Sequence, residues 1–284
     1  MPETLGKGIP EIEIPPVESS AEAVAGEEVA AMEPPAPPVA AATAAMVVPG
    51  GLNAGLNGFG GSPAPLILDK RVRVIPHAVD SSVVEHYRKL RTKLLQKRDE
   101  KPFRSLLVTS ANPKEGKTIT SLNLALSFAM LPNFKVVVVD GDFRRGSLGN
   151  WLGMDRSHPG LSDVVEGTAR LEDVVLKSDQ IPIHFILRGT ARVLDAHRSQ
   201  FDAHFRKLGE HFDLVIVDSP PANLLADVQI LAGSCDAVLL VARSFVTNRS
   251  ALEKAVQDLQ PFNVIGTVLN ASVETRKKYY YGYY

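Results

Sequence analysis

The chain has 284 residues, with 31 lysines and arginines against 32 aspartates and glutamates, for a net charge of −1. Hydrophobic residues make up 45% of it, enough for a sizeable packed core, and the near-neutral charge argues against a general nucleic-acid binder. A lone Cys235 excludes an internal disulfide framework and a thiolate metal site. It is expected as a small core residue of a protein in a reducing, cytosolic compartment.

Residues 1–66 are rich in Pro, Ala, Gly and Glu, with the run Pro34-Pro35-Ala36-Pro37-Pro38 and the glycine-rich stretch Pro49 to Gly61. Eight glutamates and one lysine fall within residues 1–65, so the remainder is net positive by six. Such a composition cannot bury enough apolar area to offset the entropy of ordering, and predicts a structureless arm. The longest uncharged apolar stretch there, Val39 to Val48, is far short of the roughly 20 residues that a bilayer requires. It also lacks the basic leader of a signal peptide.

From residue 67 the pattern becomes that of a folded domain, expected over 67–272. Ser82 to Lys97 places Val84, Tyr87, Leu90, Leu94 and Leu95 at helical spacing, with Ser81 or Ser82 as cap. Ser105–Ser110 reads as a buried strand, followed by a loop and an apolar helix to about Leu131. Further strands are expected at Lys135–Asp140, Ile183–Leu187, Leu214–Asp218, Ala237–Val241 and Val264–Leu269. Helices are expected around Leu161–Val175, Leu194–Phe212, Leu225–Leu231 and Arg249–Leu259. Short continuous apolar strands alternating with helices predict an α/β fold, a doubly wound and mostly parallel sheet covered on both faces.

The segment Ala111-Asn112-Pro113-Lys114-Glu115-Gly116-Lys117-Thr118 joins the first strand to a helix. It fits the phosphate-loop pattern GxxxxGK[ST], except that Ala111 replaces the first glycine. In such a loop, backbone N–H groups and the helix N-terminus surround the phosphates of a nucleotide. Lys117 reaches the β- and γ-phosphates, the Thr118 hydroxyl ligates Mg²⁺, and Gly116 lets the backbone approach closely.

Asp140 and Asp142 follow one apolar strand and Asp218 ends another, in Asp218-Ser219-Pro220-Pro221. Ligands of open α/β sheets sit at the carboxyl ends of the parallel strands. Three carboxylates there can hold Mg²⁺ and accept a proton, with Asp140 or Asp142 as the base for a tyrosine hydroxyl, whose pKa is about 10. Arg144 is a candidate for stabilising phosphate charge, whereas Arg145 is expected at the surface.

Five of six tyrosines, Tyr279, Tyr280, Tyr281, Tyr283 and Tyr284, lie in the last six residues. A chain end cannot enclose five phenols in a core. The segment 273–284 therefore reads as a tether of acceptor hydroxyls, with Arg276-Lys277-Lys278 to steer it toward an acidic site. A nucleotide site and a tyrosine tail together suggest a kinase that uses itself as substrate.

Taken together, these motifs resemble the bacterial tyrosine autokinases (BY-kinases) of capsule and exopolysaccharide synthesis, in their cytoplasmic form. The resemblance rests on Pro113 in the phosphate loop, Asp140-Gly141-Asp142-Phe143-Arg144, Asp218-Ser219-Pro220-Pro221 and the tyrosine tail. It also rests on an ExxRxxR helix, Glu85-His86-Tyr87-Arg88-Lys89-Leu90-Arg91. It implies ATP and Mg²⁺ as cofactors and transfer to tail tyrosines of a neighbouring subunit. It further implies ring assembly through Glu85, Arg88 and Arg91, which from spacing alone form a charged helix stripe. The implied partners are a separate membrane-spanning activator, which would place the kinase peripherally at the inner face of the membrane, and a phosphotyrosine phosphatase. Two departures stand out: Gly146 where many relatives have proline, and the stretch from Arg188 to Asp195, which lacks the usual proline and asparagine.

Two other functions remain compatible. One is a partitioning- or Min-type ATPase switch, whose members carry a lysine at the second loop position, here Asn112. The other is a non-catalytic nucleotide-binding adaptor of polysaccharide assembly.

Overall fold

The computed structural model describes residues 59–64, 81–154, 157–178, 183–191, 198–224 and 227–272. Eight strands form one sheet: β1 (Ser62–Ala64), β2 (Ser105–Ser110), β3 (Val136–Asp140), β4 (Leu176–Ser178), β5 (Ile183–Ile186), β6 (Leu214–Asp218), β7 (Ala237–Arg243) and β8 (Val264–Asn270). Their order is β1-β4-β5-β3-β6-β2-β7-β8, with every neighbouring pair parallel except β4 and β5. The helices are α1 (Ser81–Glu100), α2 (Lys117–Ala129), α3 (Leu148–Trp151), α4 (Leu161–Val165), α5 (Arg198–His211), α6 (Asp227–Ser234) and α7 (Arg249–Asp258).

The central strands are runs of Val, Ile and Leu because both of their faces are buried. Alternate residues serve opposite layers. Leu106, Val108, Val136, Val138, Leu214 and Ile216 join Leu94 of α1 and the leucines of α2 on one face. Leu107, Val137, Val139, Val215 and Val217 join residues of α4, α5, α6 and α7 on the other. Helix α1 presents Tyr87, Leu90, Leu94 and Leu95 to that first layer, as their spacing predicts. Helix α7 starts where the Asn248 side chain accepts the Ala251 N–H at 2.8 Å.

Several expectations are corrected. The stretch expected to be structureless to residue 66 carries structure at its end, because Ser62–Ala64 pairs with β4 and Phe59 is 1% exposed. Phe59 stacks on His211 and meets Phe212 edge-on, so one aromatic anchors a segment whose composition alone would leave it loose. Residues 1–58 lie outside the described residues. The helix expected over Leu161–Val175 is broken at Gly167, whose φ is +74°. The N–H groups of Thr168 and Ala169 then fold back onto the Asp163 carbonyl. Beyond the break lie a 3₁₀ turn, Leu171–Val174, and β4. The helices expected around Leu194–Phe212 and Leu225–Leu231 are present as Arg198–His211 and Asp227–Ser234, and their expected starts fall outside the described residues. Residues 192–197 and 225–226 lie outside that description. Cys235, expected in the core, is only half-buried.

Candidate functional site

The loop after β2 enters α2 through two left-handed residues, Lys114 (φ +64°) and Gly116 (φ +94°). A Cβ on Gly116 would fall 2.0 Å from Asn270 Nδ2, and that nitrogen donates to the Glu115 carbonyl at 2.9 Å. Glycine is therefore required both by conformation and by the closeness of β8. The buried Glu115 carboxylate organises the loop from behind. It accepts the Asn112 N–H at 3.0 Å, the Asn112 amide at 3.3 Å and the Thr247 hydroxyl at 2.6 Å. Arg243 Nη1 donates to the Lys114 carbonyl at 3.1 Å.

A cavity of ≈ 840 Å³ opens over this loop, a size suited to a nucleotide. Pro113, Lys114, Gly116, Lys117 and Thr118 line it. Ala111 does not: it is fully buried in the second apolar layer, so its methyl replaces a glycine hydrogen without entering the cavity. Asn112 and Glu115, predicted with the binding residues, are likewise absent from the lining, and the Glu115 side chain is committed to the loop itself. Gly116 caps α2 without a side-chain hydrogen bond, so the helix presents its positive end there.

Asp140 and Asp218 are register partners at the ends of β3 and β6. Asp218 Oδ2 accepts the Thr118 hydroxyl at 2.6 Å, while its buried Oδ1 has no partner. Burial pushes Asp218 up to about 6, with the Lys117 ammonium pulling the other way. Burial, with the neighbouring Asp218 carboxylate second, pushes Asp140 up to about 8. Asp140 is turned onto backbone, accepting the N–H groups of Asp142 at 3.1 Å and Leu148 at 3.0 Å, and it does not line the cavity. Asp142 does line it, and its Oδ1 accepts the Arg145 N–H at 2.9 Å. Among the described residues no three His, Cys, Asp or Glu side chains form a ready metal cage.

Arg144 lines the cavity and pairs with Asp227 of α6 at 3.1 Å. Arg145, expected at the surface, is exposed and also part of the lining. Several site residues escape a motif-based reading: Ser147, whose hydroxyl lies 2.9 Å from Thr118 Oγ1, and Ile119, Trp151, Leu224, Arg243, Asn270 and Ala271. The only signal for Arg243 and Asn270 is a polar residue at the carboxyl end of a strand. Gly146 has φ +48°, and a Cβ there would fall 2.6 Å from Arg188 Cδ. The two departures from the family pattern thus meet in space, with Arg188 filling the volume over Gly146.

The predicted stripe on α1 is only partly a stripe. Arg88 and Glu85 form an exposed two-point ion pair at 2.6 and 2.9 Å. Arg91 turns inward instead, donating to the Ser127 carbonyl in the last turn of α2. The tail tyrosines Tyr279, Tyr280, Tyr281, Tyr283 and Tyr284 lie outside the described residues. No described helix is long and apolar enough to cross a membrane.

A phosphate loop at the head of a helix, beside carboxylates on the two adjoining strand ends, defines a P-loop nucleotide-binding protein. The AAA domain family matches residues 108–270. Tyrosine-protein kinase CpsD of Streptococcus pneumoniae is 31% identical over 206 residues, 70% of this chain and 89% of that protein. Putative tyrosine-protein kinase EpsB of Ralstonia solanacearum is 32% identical over 211 residues, 72% of this chain but 28% of that protein. The kinase domain of the Escherichia coli tyrosine kinase ETK superposes with TM-score 0.65 at 29% identity, covering 75% of this chain and 84% of that one. The septum site-determining protein MinD of Pyrococcus horikoshii, at 22% identity and TM-score 0.50 over 58% of this chain and 69% of its own, shares the fold alone. The chain belongs to the bacterial tyrosine-kinase (BY-kinase) family.

Proposed function

We propose that the protein is an ATP-dependent tyrosine autokinase of capsular or exopolysaccharide synthesis, phosphorylating the tail tyrosines of a neighbouring copy. The observation that carries this reading is one cavity lined by Lys117 and Thr118 on one wall and by Asp142 and Arg144 on another. In the transfer, the tyrosine oxygen attacks the γ-phosphorus of ATP, the bond to the β-phosphate oxygen breaks, and ADP leaves. Asp142 takes the phenolic proton, because it faces the cavity while both Asp140 oxygens are occupied by backbone N–H groups. Lys117 and the α2 N-terminus hold the phosphates, and Arg144 offsets charge on the transferred group.

The residues fit a divalent cation. Thr118 and the unpartnered Asp218 Oδ1 would hold it, and it would supply neutralisation of phosphate charge. Glu85 and Arg88 offer an exposed pair for contact between copies, with Arg91 acting behind them through α2. A membrane-spanning activator and a phosphotyrosine phosphatase complete the proposed system, with the kinase at the inner face of the cell membrane through its activator.

The test mixes two full chains with ATP and Mg²⁺: a Lys117→Met chain with its tyrosines intact, and an active chain whose five tail tyrosines are phenylalanine. Phosphotyrosine on the Lys117→Met chain is the expected result. Its absence, with the wild type still modified, would show transfer within one chain.

A further inference from the structure

The cavity extends beyond what a phosphate loop needs, and the sheet order divides its lining. On one side of β2, which carries the loop, lie β6 and then β3; on the other lie β7 and β8. The β7–β8 side supplies Arg243, Asn270 and Ala271, and the β3 side supplies Asp142, Arg144, Arg145, Ser147 and Trp151. In-line transfer sets the incoming hydroxyl opposite the leaving group, so the acceptor and the nucleotide base approach from opposite sides. With Asp142 as base, the β3 side belongs to the acceptor.

Trp151 ends α3, eleven residues after Asp140, and is partly buried. One part of it packs against the apolar layer that contains Leu148 and the leucines of α2. Another part lines the cavity, with Ile119 of α2 also in the lining. An aromatic side chain held from behind in this way is a rigid wall that loses little conformational freedom on contact with a ligand. A phenol ring suits such a wall, because aromatic pairs gain from stacked or edge-on contact beyond the area they bury.

We propose that Trp151 is the specificity-determining residue for the acceptor: the tyrosine ring lies against its indole while the hydroxyl faces Asp142. The proposal rests on the kinase reading and extends it to the choice of tyrosine over serine or threonine, whose short side chains would leave the wall uncovered.

Trp151 is the chain's only tryptophan, so its fluorescence reports on this wall alone. The experiment uses the full chain with its five tail tyrosines changed to serine, a non-hydrolysable ATP analogue, Mg²⁺ and a peptide of residues 273–284. Saturable change of the emission by this peptide, and none by its serine counterpart, is expected. With ATP, Trp151→Ala should raise the KM for the peptide roughly five- to tenfold and leave nucleotide affinity unchanged, while Trp151→Phe keeps most of the peptide affinity. Emission that follows nucleotide and not peptide, with Trp151→Ala losing nucleotide, would overturn the proposal and make Trp151 a base-stacking residue. Emission indifferent to both would also overturn it. If the peptide titrates the emission but no phosphate is ever transferred, the acceptor wall stands and the kinase reading falls.

Discussion

The buried carboxylates at the ends of β3 and β6 make a stability prediction that can be worked through. Asp140 is 1% exposed and is pushed up to about 8 by burial and by Asp218. An acid raised in the fold leaves stability intact below its unfolded value near 4 and removes it as pH climbs toward 8, because the unfolded chain ionises first. At about 1.4 kcal/mol per pH unit, the cost carried by Asp140 has an upper limit on the order of 6 kcal/mol. Asp140→Asn removes the charge, keeps one acceptor for the Leu148 N–H and loses the acceptor for the Asp142 N–H, a loss of about 1–3 kcal/mol. Without nucleotide or divalent cation, the variant should gain about 1–3 kcal/mol over wild type near pH 8 and lose a similar amount near pH 4. At 2–4 °C per kcal/mol, that is a rise in Tm of roughly 2–12 °C at the higher pH. Thermal melts with a chelator at both pH values test this. Equal destabilisation by Asp140→Asn at pH 4 and pH 8 would refute the buried-charge argument.

Two further outcomes follow from close packing. Gly116→Ala places a Cβ against Asn270 at a φ of +94°, and should lower stability by about 1–2 kcal/mol or more and nucleotide affinity at least tenfold. Equilibrium binding of a fluorescent nucleotide checks it. Phe59→Ala empties a fully buried site between His211 and Phe212, and should cost about 3 kcal/mol in a urea melt while leaving nucleotide affinity unchanged.

The centre of this fold is legible in sequence because its signals are local. Val136-Val137-Val138-Val139 has no alternative to a strand buried on both faces, and Gly116-Lys117-Thr118 has a mechanical reason for every residue. The edges are not legible in this way. β1 and β4 are three residues each and exist through pairing with distant segments, which no window of sequence reports. Gly167 breaks a plausible helix because its left-handed turn closes onto Asp163, a tertiary outcome written as a single glycine. At the site, residue chemistry marks Asp140, Asp142 and Asp218 alike, and only the fold distinguishes Asp142 in the cavity from Asp140 on the backbone. The same holds for Arg91, which spacing sets beside Arg88 and packing sends to Ser127. Trp151 and Arg243 carry no motif and enter the site through the ends of α3 and β7.

The central claim is ATP-dependent phosphorylation of the chain's own tail, and intact-mass spectrometry tests it most directly. The 284-residue chain is incubated with Mg-ATP and the proposed membrane activator, beside Lys117→Met and a chain ending at Lys278. Stepwise phosphate mass gains in the wild type alone are the predicted result. Nucleotide binding without any mass gain, or equal gains in the chain that ends at Lys278, would contradict it.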